Sequence, residues 1–186
     1  MEKRNLPSIK ELREDITVKS DQNDLNIILN TEPVKEWIRD HPFAKGVKYL
    51  PIERIEYLLT RIFLKWNVEV KSVQTIANSI VCVIRLHYQD VLSDQMLWQD
   101  GIGAAPIQTQ KGAGAMEWDK TLNDAVMKAA PAAESYAVKD AAEKIGKLFG
   151  KDLNRADKIM YDTLIGQVTK DDKHKDLFDE PNTEKQ

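Results

Sequence analysis

Apolar residues recur at two different spacings along the chain, and each spacing predicts one kind of element. After Pro51, which suits the first position of a helix, apolar residues recur every three or four positions: Ile52, Ile55, Leu58, Leu59, Ile62 and Phe63. This pattern predicts an amphipathic helix. Residues 66–73 instead alternate between apolar and polar, and residues 79–88 are rich in β-branched side chains. These two runs, separated by residues 75–78, predict an antiparallel hairpin.

The sequence that follows the hairpin predicts a third strand and a long helix. The strand is expected over Gln95–Gln99, and the nearby Gly101 and Gly103 predict a bend or bulge at its end. From Trp118 to about Leu153 the chain is alanine-rich and predicts helix, with a break or kink at Pro131. The order of helix, three strands and long helix predicts an α+β fold.

The two ends of the chain differ from its middle in composition. Residues 1–23 are polar and charged and predict a flexible N-terminal arm, while residues 168–186 predict a disordered charged tail. Residues 24–167 then form one domain, with short helices over 24–41 and a further helical segment over 155–165. A chain of 186 residues is long enough for one ordinary core.

Charge and cysteine content restrict the classes of function. The formal net charge is −3 and the pI is near 5.7, so any nucleic-acid-binding surface must be local. Cys82, the single cysteine, lies in an apolar run and is expected to be buried and inert, which excludes a disulfide framework. The sequence shows neither a signal peptide nor an apolar run of roughly 18 to 20 residues, so we expect a cytoplasmic protein without membrane attachment.

Strong enzyme signatures are absent from the sequence. There is no GxxxxGK[ST] phosphate loop, HExxH, GxSxG or CxxC, so we expect no catalytic residues, no nucleotide cofactor and no metal. The three histidines, His41, His87 and His174, fall in separate segments. A metal-dependent nuclease remains an alternative, and its candidate ligands are the scattered aspartates Asp94, Asp100, Asp119 and Asp124.

The stretch from Val138 to Lys151 carries a stripe of lysines. If the stretch is helical, Val138, Ala142, Ile145 and Phe149 lie on one face and Lys144, Lys147 and Lys151 lie on the opposite face. Lysines one turn apart can follow a sugar-phosphate backbone and gain affinity by counterion release. The alternative is an ordinary solvated face in which Asp140 and Lys144 pair at i, i+4.

The segment AVKDAAEKIGKLFGKDLN, residues 137–154, resembles the helix motif of the Rad-fifty-two-like single-strand annealing proteins and their phage relatives. The matching residues are Ala137, Val138, Asp140, Lys144, Lys147, Phe149, Gly150, Leu153 and Asn154. Upstream, the hairpin from Trp66, the apolar strand at 81–86 and WQDGIGAA at 98–105 resemble the family's strands and glycine turn. The resemblance covers about Tyr49 to Asn154.

This resemblance implies a β-β-β-α core that assembles into a ring or helical filament. Single-stranded DNA would lie in a basic groove, and complementary strands would anneal without ATP during homologous recombination of phage or mobile-element DNA. Lys144 and Lys147 match groove residues of the family. Lys151 is added from the lysine stripe, and Arg61, Lys65 and Lys71 are looser candidates from the helix and hairpin.

Some expectations remain open beside the resemblance. Glu143 stands where the family often carries a basic residue. A partner exonuclease or single-strand binding protein is a candidate partner. The aromatic residues Trp66, Trp98 and Tyr136 are expected in the core rather than stacked on bases. The main alternative function is a protein-interaction module without DNA activity, in which the lysines are merely solvent-exposed.

Overall fold

The computed structural model describes residues 21–41 and 45–156, which form an α+β fold as the sequence predicts. Its elements in chain order are a helix over residues 21–29 (α1), β1 (Arg39–Asp40), β2 (Lys48–Tyr49), α2 (Ile52–Phe63), β3 (Trp66–Ile76), β4 (Ser79–Gln89), β5 (Met96–Pro106) and α3 (Ala125–Glu143). Short 3-10 helices lie at Lys35–Trp37, Trp118–Lys120 and Lys147–Phe149. The predicted arm lies outside the described residues except for 21–23, and the predicted tail lies wholly outside them.

The centre of the fold is an antiparallel sheet in the order β3-β4-β5. Its first hairpin has a tighter turn than the sequence suggested, because Ile76 pairs directly with Ser79. Burial alternates strictly along β4, as expected for a strand with one buried face. The buried side chains on that face, all on the side of α3, are Ile80, Cys82, Ile84, Leu86 and Tyr88, so the prediction of a buried thiol is confirmed.

The third strand is longer than expected and passes straight through the two glycines. The prediction of a bend or bulge there is wrong, because β5 pairs with β4 without a register shift from Met96 to Pro106. The glycines instead allow close packing of α3: a Cβ at Gly101 would lie 2.0 Å from the carbonyl oxygen of Ala137, and one at Gly103 would lie 2.2 Å from that of Ala133. The sheet's bulge lies in β3, between Val70 and Ser72.

The long helix is shorter than predicted at both ends, and Pro131 lies inside it rather than breaking it. Beyond Glu143 the chain turns through Gly146, where a Cβ would lie 2.3 Å from the carbonyl oxygen of Leu29. The next residues form a 3-10 helix that inserts Phe149 into the core, with its ring stacked 6.4 Å from that of Phe63. The prediction of continuous helix to Leu153 is therefore wrong, since close contact with α1 needs a glycine and an extended backbone there.

The predicted helix after Pro51 is confirmed as α2, which packs against the same side of the sheet as α3. Its buried residues are Ile55, Leu58, Leu59 and Phe63. The ring of Phe63 lies 4.6 Å from that of Tyr88 on β4. Among the described residues, no helix combines the length and apolar character needed to cross a bilayer.

Candidate nucleic-acid interface

The face of the sheet turned away from α3 carries a cluster of charged side chains and an exposed tryptophan. We call this surface the open face, because α2 and α3 both pack on the other side of the sheet. Register places Glu69, Arg85 and Asp100 side by side across the three strands. Along β5, Trp98 is 52% exposed and Ile102 is 58% exposed.

Arg85 is the centre of this cluster. Its Nε donates to Oδ1 of Asp100 at 2.7 Å and its Nη2 donates to Oδ2 at 2.9 Å, so the pair is bidentate. The guanidinium carbon lies 4.0 Å from the centroid of the Trp98 ring, which is a cation–π contact. Asp100 and Trp98, both on β5, thus fix the guanidinium of Arg85, which lies on β4, over the open face.

Lys71 joins the cluster from β3, where the bulge interrupts the regular alternation. Its Nζ donates to Oε1 of Glu69 at 2.9 Å, and Nε2 of His87 lies 3.2 Å from Oε2 of the same carboxylate. The hydrogen bond from Lys71, followed by the contact with His87, lowers the pKa of Glu69. Glu69 therefore stays ionised and balances the charge of Lys71.

Lys144 reaches the cluster from the end of α3. Its Nζ donates to the carbonyl oxygen of Asp100 at 2.5 Å and to Oδ2 of Asp140 at 2.8 Å. The i, i+4 pair that the sequence left open is thus present. Asp140 also accepts from the backbone N–H of Ile102 at 3.0 Å, so these two helix side chains cover the outer edge of β5 at this point.

The electrostatics of Asp100 show that three of the cations act on one carboxylate. The hydrogen bond from Arg85 is the largest cause that lowers the pKa of Asp100, and the charges of Lys71 and Lys144 lower it further. The structure therefore brings two of the sequence candidates, Lys71 and Lys144, together with Arg85.

Lys147 does not belong to this exposed surface. It is 7% exposed, and its Nζ lies 3.5 Å from Oδ2 of Asp152, whose side chain is 12% exposed. The predicted stripe of three exposed lysines is wrong in this respect, because the helix ends at Glu143 and the turn at Gly146 directs Lys147 inward. Its position indicates a structural ion pair.

The other three sequence candidates lie elsewhere on the described surface. Lys151 is half-buried in the turn after Gly150, Arg61 is exposed in the last turn of α2, and Lys65 is exposed just before β3. None of these three is among the charges that act on Asp100. Their role in binding DNA stays a prediction.

Glu143 is half-buried at the end of α3, next to Lys144 in sequence. Burial, followed by repulsion from Asp140, raises its pKa to about 7, while Lys139, Arg155 and Lys144 oppose the rise. Near neutral pH this carboxyl is therefore part neutral and part ionised. Its negative charge beside Lys144 grows as the pH rises.

The aspartates proposed for a nuclease do not come together. Within residues 21–41 and 45–156, no group of three or more histidine, cysteine or acidic side chains is placed to hold a metal. Asp100 is held by Arg85, and Asp124 pairs with Lys128. Of the histidines, His87 contacts Glu69, His41 lies against the rings of Tyr49 and Tyr136, and His174 lies outside the described residues.

Two features of the open face were not predicted from the sequence: the ion pair between Arg85 and Asp100, and the exposure of Trp98. Arg85 is the only lysine, arginine, aspartate or glutamate in β4 (Ser79–Gln89), which is a signal for a specific partner. Its partner lay beyond the predicted end of the third strand at Gln99, so no pairing was expected. Trp98 was expected in the core, but it is half exposed.

The chain matches no known protein-family model, and its sequence has no significant match among curated proteins.

Proposed function

We propose that this protein binds single-stranded DNA and anneals complementary strands without a nucleotide cofactor, as the sequence resemblance implies. The observation that carries the proposal is the cluster of Lys71, Arg85 and Lys144 around Asp100, beside the half-exposed Trp98. Cations from three elements can hold a phosphate backbone while the base edges stay accessible for pairing. The order of helix, three strands and helix that the family implies supports the same function.

Each of the three cations already has a carboxylate partner in the protein. Lys71 pairs with Glu69, Arg85 with Asp100, and Lys144 with Asp140. A strand phosphate would share or replace these partners, so the gain per protein copy is small. Useful affinity then needs many copies along one strand, which add their weak contacts cooperatively.

Two uncovered surfaces support assembly into a ring or filament. On β3, the α3 side of the sheet leaves Val70 and Val73 49% and 55% exposed. At the opposite edge, a groove of about 320 Å³ lies between β5 and α3; its lining includes Ala104, Pro106, Ala129, Ala132 and Tyr136. Because the surfaces lie at opposite sheet edges, association through them would be head to tail, which produces rings or filaments.

The second candidate is a protein-interaction module without DNA activity. It is favoured by a group of exposed apolar residues at and before the start of α3: Met116 (59% exposed), Trp118 (50%), Val126 (51%) and Met127 (78%). Contiguous exposed apolar surface commonly marks a protein contact. This surface also suits a partner exonuclease or single-strand binding protein, so it is compatible with the first proposal.

The proposal is tested by following the annealing of two complementary dye-labelled oligonucleotides at low salt without nucleotide. We expect the native protein to accelerate annealing and the double variant Lys71→Ala, Lys144→Ala to lose most of the acceleration. Two phosphate contacts fewer should also flatten the salt dependence of binding, by roughly 0.7 per contact in the logarithmic slope.

The matched control is the double variant Lys48→Ala, Lys120→Ala. It removes the same charge from two exposed lysines that are likewise paired, with Asp40 and Glu117, and that lie outside both the open face and the groove. Equal loss in both double variants would mean that only net charge matters and would contradict the assigned surface. If the native protein neither binds nor anneals the strands, the interaction module becomes the first candidate.

A further inference from the structure

We propose that Trp98 and Arg85 form a seat for one nucleotide of a single strand, in which the indole stacks on the base and the guanidinium binds the adjoining phosphate. This inference rests on the proposed function and adds to it a contact with the base. The cationic cluster alone would bind any polyanion, whereas this seat requires an unpaired base.

The indole is placed for stacking. Trp98 lies near the start of β5, directly opposite His87 in the sheet, and 52% of it is exposed on the open face. Burying such a large apolar ring would stabilise a folded protein, so its exposure in a regular strand needs an explanation. A nucleobase supplies the flat apolar surface that covers an exposed indole, and stacking accepts every base type.

The guanidinium is held rigidly and still has donors to offer. Both carboxylate oxygens of Asp100 accept from it, through Nε and Nη2, and it lies 4.0 Å from the centroid of the indole. Within the described part of the chain, Nη1 donates to no protein acceptor, and the side chain remains 27% exposed. A guanidinium fixed in this way loses little freedom when it binds a phosphate.

The ligand that fits this seat combines a phosphate with a flat apolar ring. Lys71 and Lys144 act on the same carboxylate from opposite edges of the sheet, and each becomes a phosphate donor when the phosphate shares or replaces its own carboxylate partner, Glu69 or Asp140. In a duplex the base faces are stacked on one another and are not available to the indole. The seat therefore favours single strands over duplexes.

The test compares two short labelled oligonucleotides, one of thymidylate and one of equal length without bases, by fluorescence anisotropy at low salt. We expect Trp98→Ala to weaken binding of the thymidylate strand about tenfold and to leave the abasic strand nearly unchanged. Trp98→Phe should restore most of the affinity, because its ring also stacks. Arg85→Gln should weaken both strands, because both carry the phosphate.

Trp118→Ala is the control, since Trp118 is 50% exposed but lies in a 3-10 helix outside the sheet. The seat is overturned if Trp98→Ala behaves like this control, or if it weakens both oligonucleotides equally. It is also overturned if the variant changes the mass of the assembly instead, which would make Trp98 a protein contact. If the native protein binds neither oligonucleotide, the proposed function fails together with the seat.

Discussion

Lys144 and Lys147 are three residues apart, yet their surroundings give them opposite roles. The side chain of Lys144 is 46% exposed and bridges two elements at the edge of the sheet, whereas the side chain of Lys147 is 8% exposed and lies against Asp152, whose side chain is 12% exposed. Removing one partner of a largely buried ion pair leaves part of its charge uncompensated, so we expect Lys147 to contribute to the stability of the fold whether or not DNA binds. A mutation at Lys147 would therefore mimic a binding defect by destabilising the fold.

Glu143 gives the protein a pH-dependent stability. Its pKa is raised to about 7 in the folded chain, above the ordinary value of 4.5, mainly by burial. Below the ordinary pKa both folded and unfolded chains carry the neutral group and no penalty exists. Between about 4.5 and 7 the unfolded chain ionises first, so stability falls as the pH rises, and above 7 the loss is complete.

We expect Glu143→Gln to raise the free energy of unfolding at pH 8 by on the order of 1–3 kcal/mol and to have little effect at pH 4. The glutamine keeps the size of the side chain but cannot ionise. Urea unfolding at a series of pH values measures the difference between native and variant proteins. Glu134→Gln, on the exposed side of the same helix, is the control, and a difference independent of pH would contradict the assignment.

The contact between β5 and α3 shows how two elements are matched in size. Alanines recur every four residues along the buried side of α3, and the glycines of β5 lie directly beneath its backbone. Small residues on both elements let the helix approach the sheet more closely than larger side chains would allow. The position of α3 in turn sets the position of Lys144 over the edge of β5.

Gly103→Ala tests this contact. Its Cβ would lie 2.2 Å from the backbone oxygen of Ala133 and 2.3 Å from the nitrogen of Ala137, and backbone atoms cannot rotate away. We expect the free energy of unfolding to fall by about 1–3 kcal/mol or more, measured by urea unfolding. Gly114→Ala should change it by less than about 0.5 kcal/mol, because the nearest atom is a flexible glutamate oxygen 3.4 Å away. Equal effects would show that the helix can shift freely.

Sequence patterns predicted the elements better than their ends. The three- and four-residue spacing after Pro51 gave α2, and alternation gave the first hairpin, because both patterns reflect burial of one face. The same reasoning predicted a third strand that was too short, because Gly101 and Gly103 suggested a bend. In the structure these glycines instead allow contact with α3, which is distant in sequence. The lysine stripe assumed one continuous helix, which Gly146 interrupts for a contact with α1. Contacts between elements that are distant in sequence produce no periodic pattern of apolar residues, so the sequence did not reveal them.

At the scale of the whole molecule, the acidic character of the chain is compatible with a local cationic surface. Residues 157–186 carry eight acidic and five basic side chains, which equals the formal excess of −3 for the complete chain. The open face brings its cations together from three elements, so overall charge does not reveal it. Binding by such a surface depends on how many copies line up along a strand.

We expect Val73→Asp to reduce the mass of the assembly in solution, measured by light scattering after size-exclusion chromatography. Val73 is 55% exposed at the edge strand, on the α3 side of the sheet, and a charge there opposes contact with an apolar surface. Gln74→Asp places the same charge on the open face of the same strand and should leave the mass unchanged. A native protein that elutes as a monomer would contradict the proposed assembly.

The single cysteine of the chain can report the separation of α3 from the sheet. Cys82 is 2% exposed between β4 and α3, and burial raises the pKa of its thiol, so reagents that attack the thiolate react only when the helix separates from the sheet. The rate of thiol labelling therefore measures how often the helix separates from the sheet, without any engineered probe. Slower labelling in the presence of an oligonucleotide would show that a ligand on one side of the sheet tightens the packing on the other.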